Sequence, residues 1–412
     1  MTAPRLHNAL AALFRAGVLA TLFIAPTQWA LEVRPKFYLS PADLALALTA
    51  GVWLLDILAA RAWRRLLPLP PWPNLLFVAL AAAAAAVAPF KALALKDLVQ
   101  YAEYFVVAPL VFAAFLRDTP RAARLALAAL GAATVCCLGL ALLHYFTPDV
   151  EALKVRGTFG NRNVLGGFLA LALPLAFGAA LGARPFWAKA GLALVLLAGF
   201  TVNLSGASFF AVAGVIAALA AARGPRLFVP VAAVLVAWHA LVLPRLPREN
   251  DLAHFQSVAL YSAEGAVERR YPDWQAAYSM ALTHPWLGVG LGNYQKHVGQ
   301  YYDNIPRQTG PSEPDIQNLY LVLAASAGAP ALLAFLAVLA CAGRAALSAS
   351  ARAGRPQESA WALGAAGSLA AFAFTAAWHP LLVRGIGLPL VFVLTLAYHL
   401  NRNEATEAAD GI

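Results

Sequence analysis

Apolar runs close to twenty residues long recur from one end of the chain to the other, separated by short polar turns. Helical spans are predicted near residues 8–27, 37–60, 74–90, 98–116, 122–146, 163–182, 186–202, 205–222, 226–243, 317–342, 358–378 and 384–400. Each can carry a helix across roughly 30 Å of hydrocarbon. The runs do not alternate with period two, which excludes an outer-membrane barrel. The pattern predicts an all-α integral membrane protein of about 12 transmembrane helices. One long segment between the ninth and tenth spans breaks it, and that segment holds ERRYPDWQAAYSMALTHPWLGVGLGNYQ, dense in charge and aromatic rings. The expected organisation is residues 1–243 as helices one to nine, 244–316 as one large extracytoplasmic loop, 317–402 as helices ten to twelve, and 403–412 as a cytoplasmic tail.

Composition agrees with that pattern. The 412 residues are 61% hydrophobic and 12% charged, against about 25% charged in soluble domains. Arg15 splits the first apolar run, and Pro26, Gln28 and Trp29 crowd any cleavage site, so a retained first span is expected rather than a signal peptide. Cys136 and Cys137 are neighbours and Cys341 stands alone, a spacing that implies neither a disulfide nor a metal site.

The formal charge of +10 would suggest nucleic acid in a soluble protein. Here it falls in short loops: Arg61, Arg64 and Arg65; Arg117, Arg121 and Arg124; Arg184 and Lys189; Arg223 and Arg226; Arg344, Arg352 and Arg355. All of these follow even-numbered spans, so those loops face the cytoplasm, both termini join them, and 244–316 lies outside. The predicted location is a membrane crossed many times, with no nucleic-acid partner. The outer turns are basic too, at Lys91, Lys96, Lys154, Arg156, Arg162 and Arg384. Positive charge on that side is explained either by contact with lipid phosphates or by an anionic ligand.

Three stretches carry a resemblance. RGTFGNRNVLGG, opening at Arg156, resembles a G-T-F-x-N-x-N run that begins a span. Arg270, Trp274 and then HPWLGVGLGNY from His284 resemble a loop signature of Arg, Trp and H-P-L-x-G-x-G-x-x-N. QNLYL from Gln317, followed by Gly328, resembles an H-N-x-Y-L…G element leading into the next span. Together and in order, over roughly residues 150–345, they are similar to the O-antigen ligase and polymerase family of polytopic membrane glycosyltransferases.

That resemblance implies a GT-C-like fold in a bacterial inner membrane and a transfer reaction. A glycan carried on undecaprenyl diphosphate would move at the periplasmic face to lipid A-core, as in a ligase, or to another lipid-linked glycan, as in a polymerase. Neither a metal nor another cofactor is needed, since the diphosphate is already a good leaving group. The chemistry asks for cations that neutralise charge growing on the diphosphate and a base for the attacking hydroxyl. Arg270 is the leading diphosphate ligand, with Arg269 beside it, because a guanidinium grips phosphate oxygens in two places. Arg156, Lys91 and Lys96 are further phosphate ligands, and the pocket is expected to gather Arg270, Arg156 and Lys96 in one hollow. Asn161 and Asn163 either bind sugar or phosphate or cap the following helix. Asn318, Tyr320 and Trp274 are candidate glycan contacts. Gly288, Gly290 and Gly292 shape a turn or allow close packing rather than cradle phosphate.

Two positions depart from the family pattern. Gln317 stands where the family places a histidine proposed to activate the acceptor, and glutamine cannot take up a proton at neutral pH. NLSGAS at 203–208 stands where the family has Ser-Arg-Gly, so Gly206 replaces an arginine. His379, in an outer turn, is a candidate replacement base; His254, His297, Glu313 and Asp315 share that face. The competing reading from another class is a transporter or flippase for lipid-linked glycans. Its expected marks, internal repeats and many ionisable groups at mid-membrane, are weak here, with Arg15, Asp56 and Glu103 the candidates within spans.

Overall fold

A computed structural model describes residues 3–34, 37–66, 69–119, 121–147, 154–238, 240, 263–302 and 316–409. Its helices are α1 (Ala3–Ile24), α2 (Pro41–Ala60), α3 (Trp72–Val87), α4 (Lys91–Asp118), α5 (Ala122–Phe146), α6 (Arg162–Gly182), α7 (Phe186–Val202), α8 (Gly206–Ala222), α9 (Pro225–Ala237), α10 (Ala263–Thr283), α11 (Tyr294–His297), α12 (Leu319–Arg352), α13 (Pro356–Ala376) and α14 (Gly387–Ala409). Among the described residues seven are long and apolar enough to cross a membrane, namely α1, α2, α4, α5, α6, α12 and α13. Four more, α3, α7, α8 and α9, are apolar but shorter.

Two starts differ from the sequence expectation, each for a local reason. A small antiparallel hairpin joins β1 (Leu31–Arg34) to β2 (Phe37–Leu39), and its second strand takes the first residues expected in the second span. The helix begins only at Pro41, where Ser40 and Asp43 form a reciprocal capping box. The fourth helix begins at Lys91 rather than near 98, so Lys91 and Lys96 lie on its first turns and not in a connecting loop. A π-helical stretch, Glu103–Val107, interrupts it midway.

The centre of the bundle is α6 against α13, where 72% and 83% of the apolar windows are buried. Small residues let the two backbones meet: a methyl added at Gly178 would sit 2.5 Å from the Ala360 carbonyl oxygen. The Ser368 hydroxyl donates across the seam to the Leu171 carbonyl at 2.6 Å. Close approach plus an interhelical hydrogen bond is how helices associate where water provides no hydrophobic drive. On the periphery Leu44, Leu48, Leu55 and Leu58 of α2 and Leu194 of α7 are exposed, the apolar outer surface that lipid requires.

α12 is broken at Gly328, whose φ of 86° takes it out of helix, and Pro330 follows. The turn after α10 fills the break. Val289 donates its N–H to the Ala325 carbonyl at 2.9 Å, and Ala329 donates to the Pro285 carbonyl at 2.8 Å. The two groups that would have bonded each other in an unbroken helix are thus both satisfied by the inserted turn. Glycine is required on both sides: a Cβ at Gly328 would fall 2.2 Å from the Trp286 oxygen, and one at Gly288, φ 62°, 2.4 Å from the Ser326 carbonyl carbon. Beyond the turn, Asn293 is fully buried and clamps the junction of α3 and α4, accepting from the Phe90 N–H at 2.8 Å and donating to the Leu291 carbonyl at 2.7 Å. A small second core of Ala276, Ala277, Met280, Val298, Tyr302, Ile316 and Ala325 seats α10 on the bundle.

Gly328→Ala is expected to cost about 2 kcal/mol or more, from left-handed strain plus backbone contact. Thermal unfolding in detergent should show a clearly lower midpoint than for Gly343→Ala in the same helix, where no atom lies within 4 Å of an added methyl.

Candidate functional site

The run at 156–161 forms a turn locked to the segment after α1. Gly160 donates to the Gln28 side-chain oxygen at 2.7 Å, Gln28 donates its N–H to the Thr158 carbonyl at 3.1 Å, and the Thr158 hydroxyl donates to the Pro26 carbonyl. Asn161 then caps α6, its side-chain oxygen accepting the N–H groups of Asn163 and Val164 at 2.9 and 3.0 Å. Arg156 bends back so that its guanidinium donates to the Gly160 carbonyl at 3.2 Å.

The turn between α7 and α8 meets α6 from the other side. Ser208 donates to the Gly166 carbonyl at 2.6 Å, and Asn203 donates to Ser208 at 3.1 Å. Ser205, 2% exposed, reaches His379 in the connection between α13 and α14: its hydroxyl lies 3.3 Å from His379 Nε2. His379 Nδ1 lies 3.2 Å from the Gln317 side-chain oxygen. An amide oxygen only accepts, so the imidazole donates from Nδ1 and its Nε2 is the accepting nitrogen, taking the Ser205 O–H. Serine, histidine and glutamine thus form a chain across residues far apart in sequence.

Two arginines face this imidazole. Arg270 of α10 stacks over Trp378, 5.6 Å from its ring centroid, and Trp274, one turn further along α10, packs on the same ring at 5.6 Å. Burial first, then the positive charges of Arg270 and Arg162, lower the pKa of His379 to about 3. The ring is therefore neutral throughout the ordinary pH range. Trp274 Nε1 is buried and has no partner among the described residues, leaving an unused donor on the ring that packs against Trp378.

Next to this cluster a cavity of about 570 Å³ opens between the first turns of α4, the hairpin, α11 and the residues after His379. Lys96, Lys296 and Arg384 line it with Asp97, Gln100, Tyr101, Tyr38 and Tyr294. Lys96 lies 3.5 Å from Asp97, while Arg384 donates to Asp43 at 2.9 Å and to the Tyr38 carbonyl. Pro380 and Leu319, immediate neighbours of His379 and Asn318, also line it, so the cavity and the histidine cluster share a wall.

The sequence candidates are thus divided. Arg270, Gln317, His379 and Trp274 come together. Lys96 belongs to the adjoining cavity, whose lining includes neither Arg270 nor Arg156, so this cavity does not hold all three of the cations expected in one hollow. Lys91 turns back to the Ala86 carbonyl. Asn318 caps α12 by accepting from Tyr320 and Leu321, and the Tyr320 hydroxyl donates to the Ala373 carbonyl at 2.6 Å, so both build the scaffold. Asn163 is half-buried on the first turn of α6, its N–H held by the Asn161 cap. His297 stacks against Phe90 at 6.2 Å. The Arg269 side chain, His254, Glu313 and Asp315 lie outside the described residues. Sequence reasoning missed Ser205 and Trp378; the departure at NLSGAS and the His-Pro turn were the signals available.

Residues 161–336 match the family model described as O-antigen ligase. No curated protein matches the chain. The matched segment runs from the Asn161 cap through the inserted turn to the middle of α12, and His379 lies beyond it.

The depressed histidine makes stability pH-dependent. Unfolded, His379 protonates near 6.5; folded, it resists until about 3. Below about pH 6.5 the unfolded chain therefore binds the extra proton, and native stability declines as pH falls toward 3. In melts at about pH 7 and pH 4.5, His379→Gln should lose less of its midpoint than the unsubstituted protein. Equal losses would mean that His379 carries none of the dependence.

Proposed function

We propose, from the match of residues 161–336 to the O-antigen ligase family model, that this chain is a multi-pass membrane glycosyltransferase of the ligase type. It moves a glycan from undecaprenyl diphosphate to an acceptor hydroxyl, on lipid A-core or a related glycan. In this reading twelve helices cross the inner membrane, and the histidine cluster with its neighbouring cavity faces the periplasm. Arginines and lysines at the even-numbered turns support that orientation. The observation that carries the reading is a neutral imidazole held between Gln317 and Ser205 and faced by Arg270.

The chemistry follows from these groups. The acceptor oxygen attacks the anomeric carbon, the bond from that carbon to the phosphate oxygen breaks, and undecaprenyl diphosphate leaves with the bonding electrons. The acceptor proton passes to His379 Nε2, the nitrogen now accepting from Ser205, while Gln317 holds Nδ1–H and fixes the tautomer. Arg270 and Arg162 stabilise the negative charge on the leaving group, with Lys96, Lys296 and Arg384 of the adjoining cavity as further cations along the donor. The buried Trp274 N–H provides a donor for a sugar hydroxyl.

The depressed basicity of His379 belongs to the protein without substrate. An anionic diphosphate offsets the two guanidinium charges that help to depress it, so donor binding itself raises the affinity of Nε2 for a proton. The base is strengthened when the donor is in place.

Arg270→Ala should abolish transfer while leaving the protein folded. His379→Gln should lower the rate by about 10²–10⁴, the usual value of a general base, and Gln317→Ala should lower it modestly, by about tenfold, through lost orientation. The assay is transfer to purified acceptor by membranes, with envelope-glycan analysis of the deletion strain beside it. Accumulated lipid-linked polymer with uncapped acceptor supports the ligase; single repeat units point to polymerisation, and intermediates stranded inside point to a flippase. Full activity of the Arg270 variant removes that residue from the site.

A further inference from the structure

A second cavity, about 1250 Å³, lies at the opposite end of α4, between the starts of α3, α5 and α13 and the later turns of α14. Five arginines, Arg117, Arg121, Arg124, Arg355 and Arg402, line it against one carboxylate, Glu358. Arg117 is paired with Asp118 and Arg355 with Glu358, while Arg124 donates to Gln357 at 3.3 Å. Even so, the lining retains a large positive excess. Membrane topology calls for basic residues on this side but not for their convergence on one hollow, and Arg184, Lys189, Arg226 and Arg344 are absent from the lining.

Polar groups inside the cavity point the same way. Thr119 and Tyr398 line it, and each keeps a buried side-chain hydroxyl without a partner among the described residues. Oxygens in that state are rare unless a ligand or ordered water completes them. The Thr119 and Tyr398 hydroxyls are donors suited to a phosphate oxygen. The same hollow has an apolar side built from Ala113, Trp361 and Leu394. A site with cations and hydroxyls on one wall and hydrocarbon on the other suits an amphiphile better than a free anion.

We propose that this cavity binds an anionic phospholipid, its phosphate held by Arg121 and Arg124 and the start of its acyl chains lying along Leu394 and Trp361. The site is separate from the histidine cluster, and its occupancy is measured without reference to glycosyl transfer. Basic pockets between membrane helices at this level are suited to such headgroups.

The test uses the full-length protein in detergent and native mass spectrometry, with phosphatidylglycerol and phosphatidylcholine added at equal concentration. Phosphatidylglycerol should be retained about tenfold better. Arg121→Gln, at an exposed position, should lose about fivefold of that retention, and the Arg121→Gln/Arg124→Gln pair about twentyfold, whereas the corresponding lysine pair keeps most of it. Equal retention of the two lipids, or undiminished retention by the folded glutamine variants, overturns the proposal. Displacement of the lipid by inorganic phosphate or glycerol phosphate at matching concentration also overturns it, assigning the site to a soluble anion instead.

Discussion

The arrangement on this face depends on an exchange of backbone hydrogen bonds at the Gly328 break. A helix interrupted within an apolar bundle leaves a donor and an acceptor with no water to satisfy them, at a cost of several kcal/mol each. The turn at 285–289 satisfies both, through Val289 to Ala325 and Ala329 to Pro285. That insertion fixes three things at once. It sets where α10 ends and hence where Arg270 and Trp274 meet Trp378; it directs the following residues toward the Asn293 clamp at the start of α4; and it holds the first turns of α12, with Gln317 just ahead of them.

Much of this was legible in the sequence, but as shape rather than as chemistry. The apolar runs located the helices because lipid imposes a length and a composition on any span. The Gly-x-Gly-x-Gly spacing announced a tight turn, and the residues that turn approaches, Ala88, Asp97 and Ser326, come from the α3–α4 turn, α4 and α12, which no local pattern indicates. The hairpin at Leu31–Leu39 was hidden because short strands carry little periodicity. The early start of α4 was hidden because Asn293, more than two hundred residues away, holds the Phe90 backbone where that helix begins. His379 was identified by its face of the membrane; its partners, 62 and 174 residues distant, follow only from packing.

The charges that the sequence assigns to the outer face show the same limit. Sequence placed Arg270, Arg156 and Lys96 on one side of the membrane, and side alone does not make a pocket. Arg156 is drawn back by the carbonyl of its own turn, and Lys96 is turned into a cavity by the early start of its helix. The cations gathered there instead, Lys296 and Arg384, come from the loop and from the turn after His379. Counting basic residues by topology gives the sign of the field; only the fold decides where it is concentrated.

Gln317 and Gly206, read from the sequence as departures from the family it resembles, bear on one place in the structure. A neutral glutamine oxygen can only accept from the histidine, and this assigns the proton to Nδ1 and leaves Nε2 basic. A second imidazole at 317 would compete for that proton and couple two titrations. An arginine at 206, next to Ser205, would bring a third guanidinium toward a ring already held neutral by burial and by Arg270 and Arg162. It would depress the proposed base further still. Ser205 itself lies against Gly166 of α6, where an added methyl would come within 2.6 Å of the Ser205 Cβ. On the function proposed here, glutamine at 317 and glycine at 206 therefore act in the same direction, both leaving Nε2 of His379 the accepting nitrogen of the cluster.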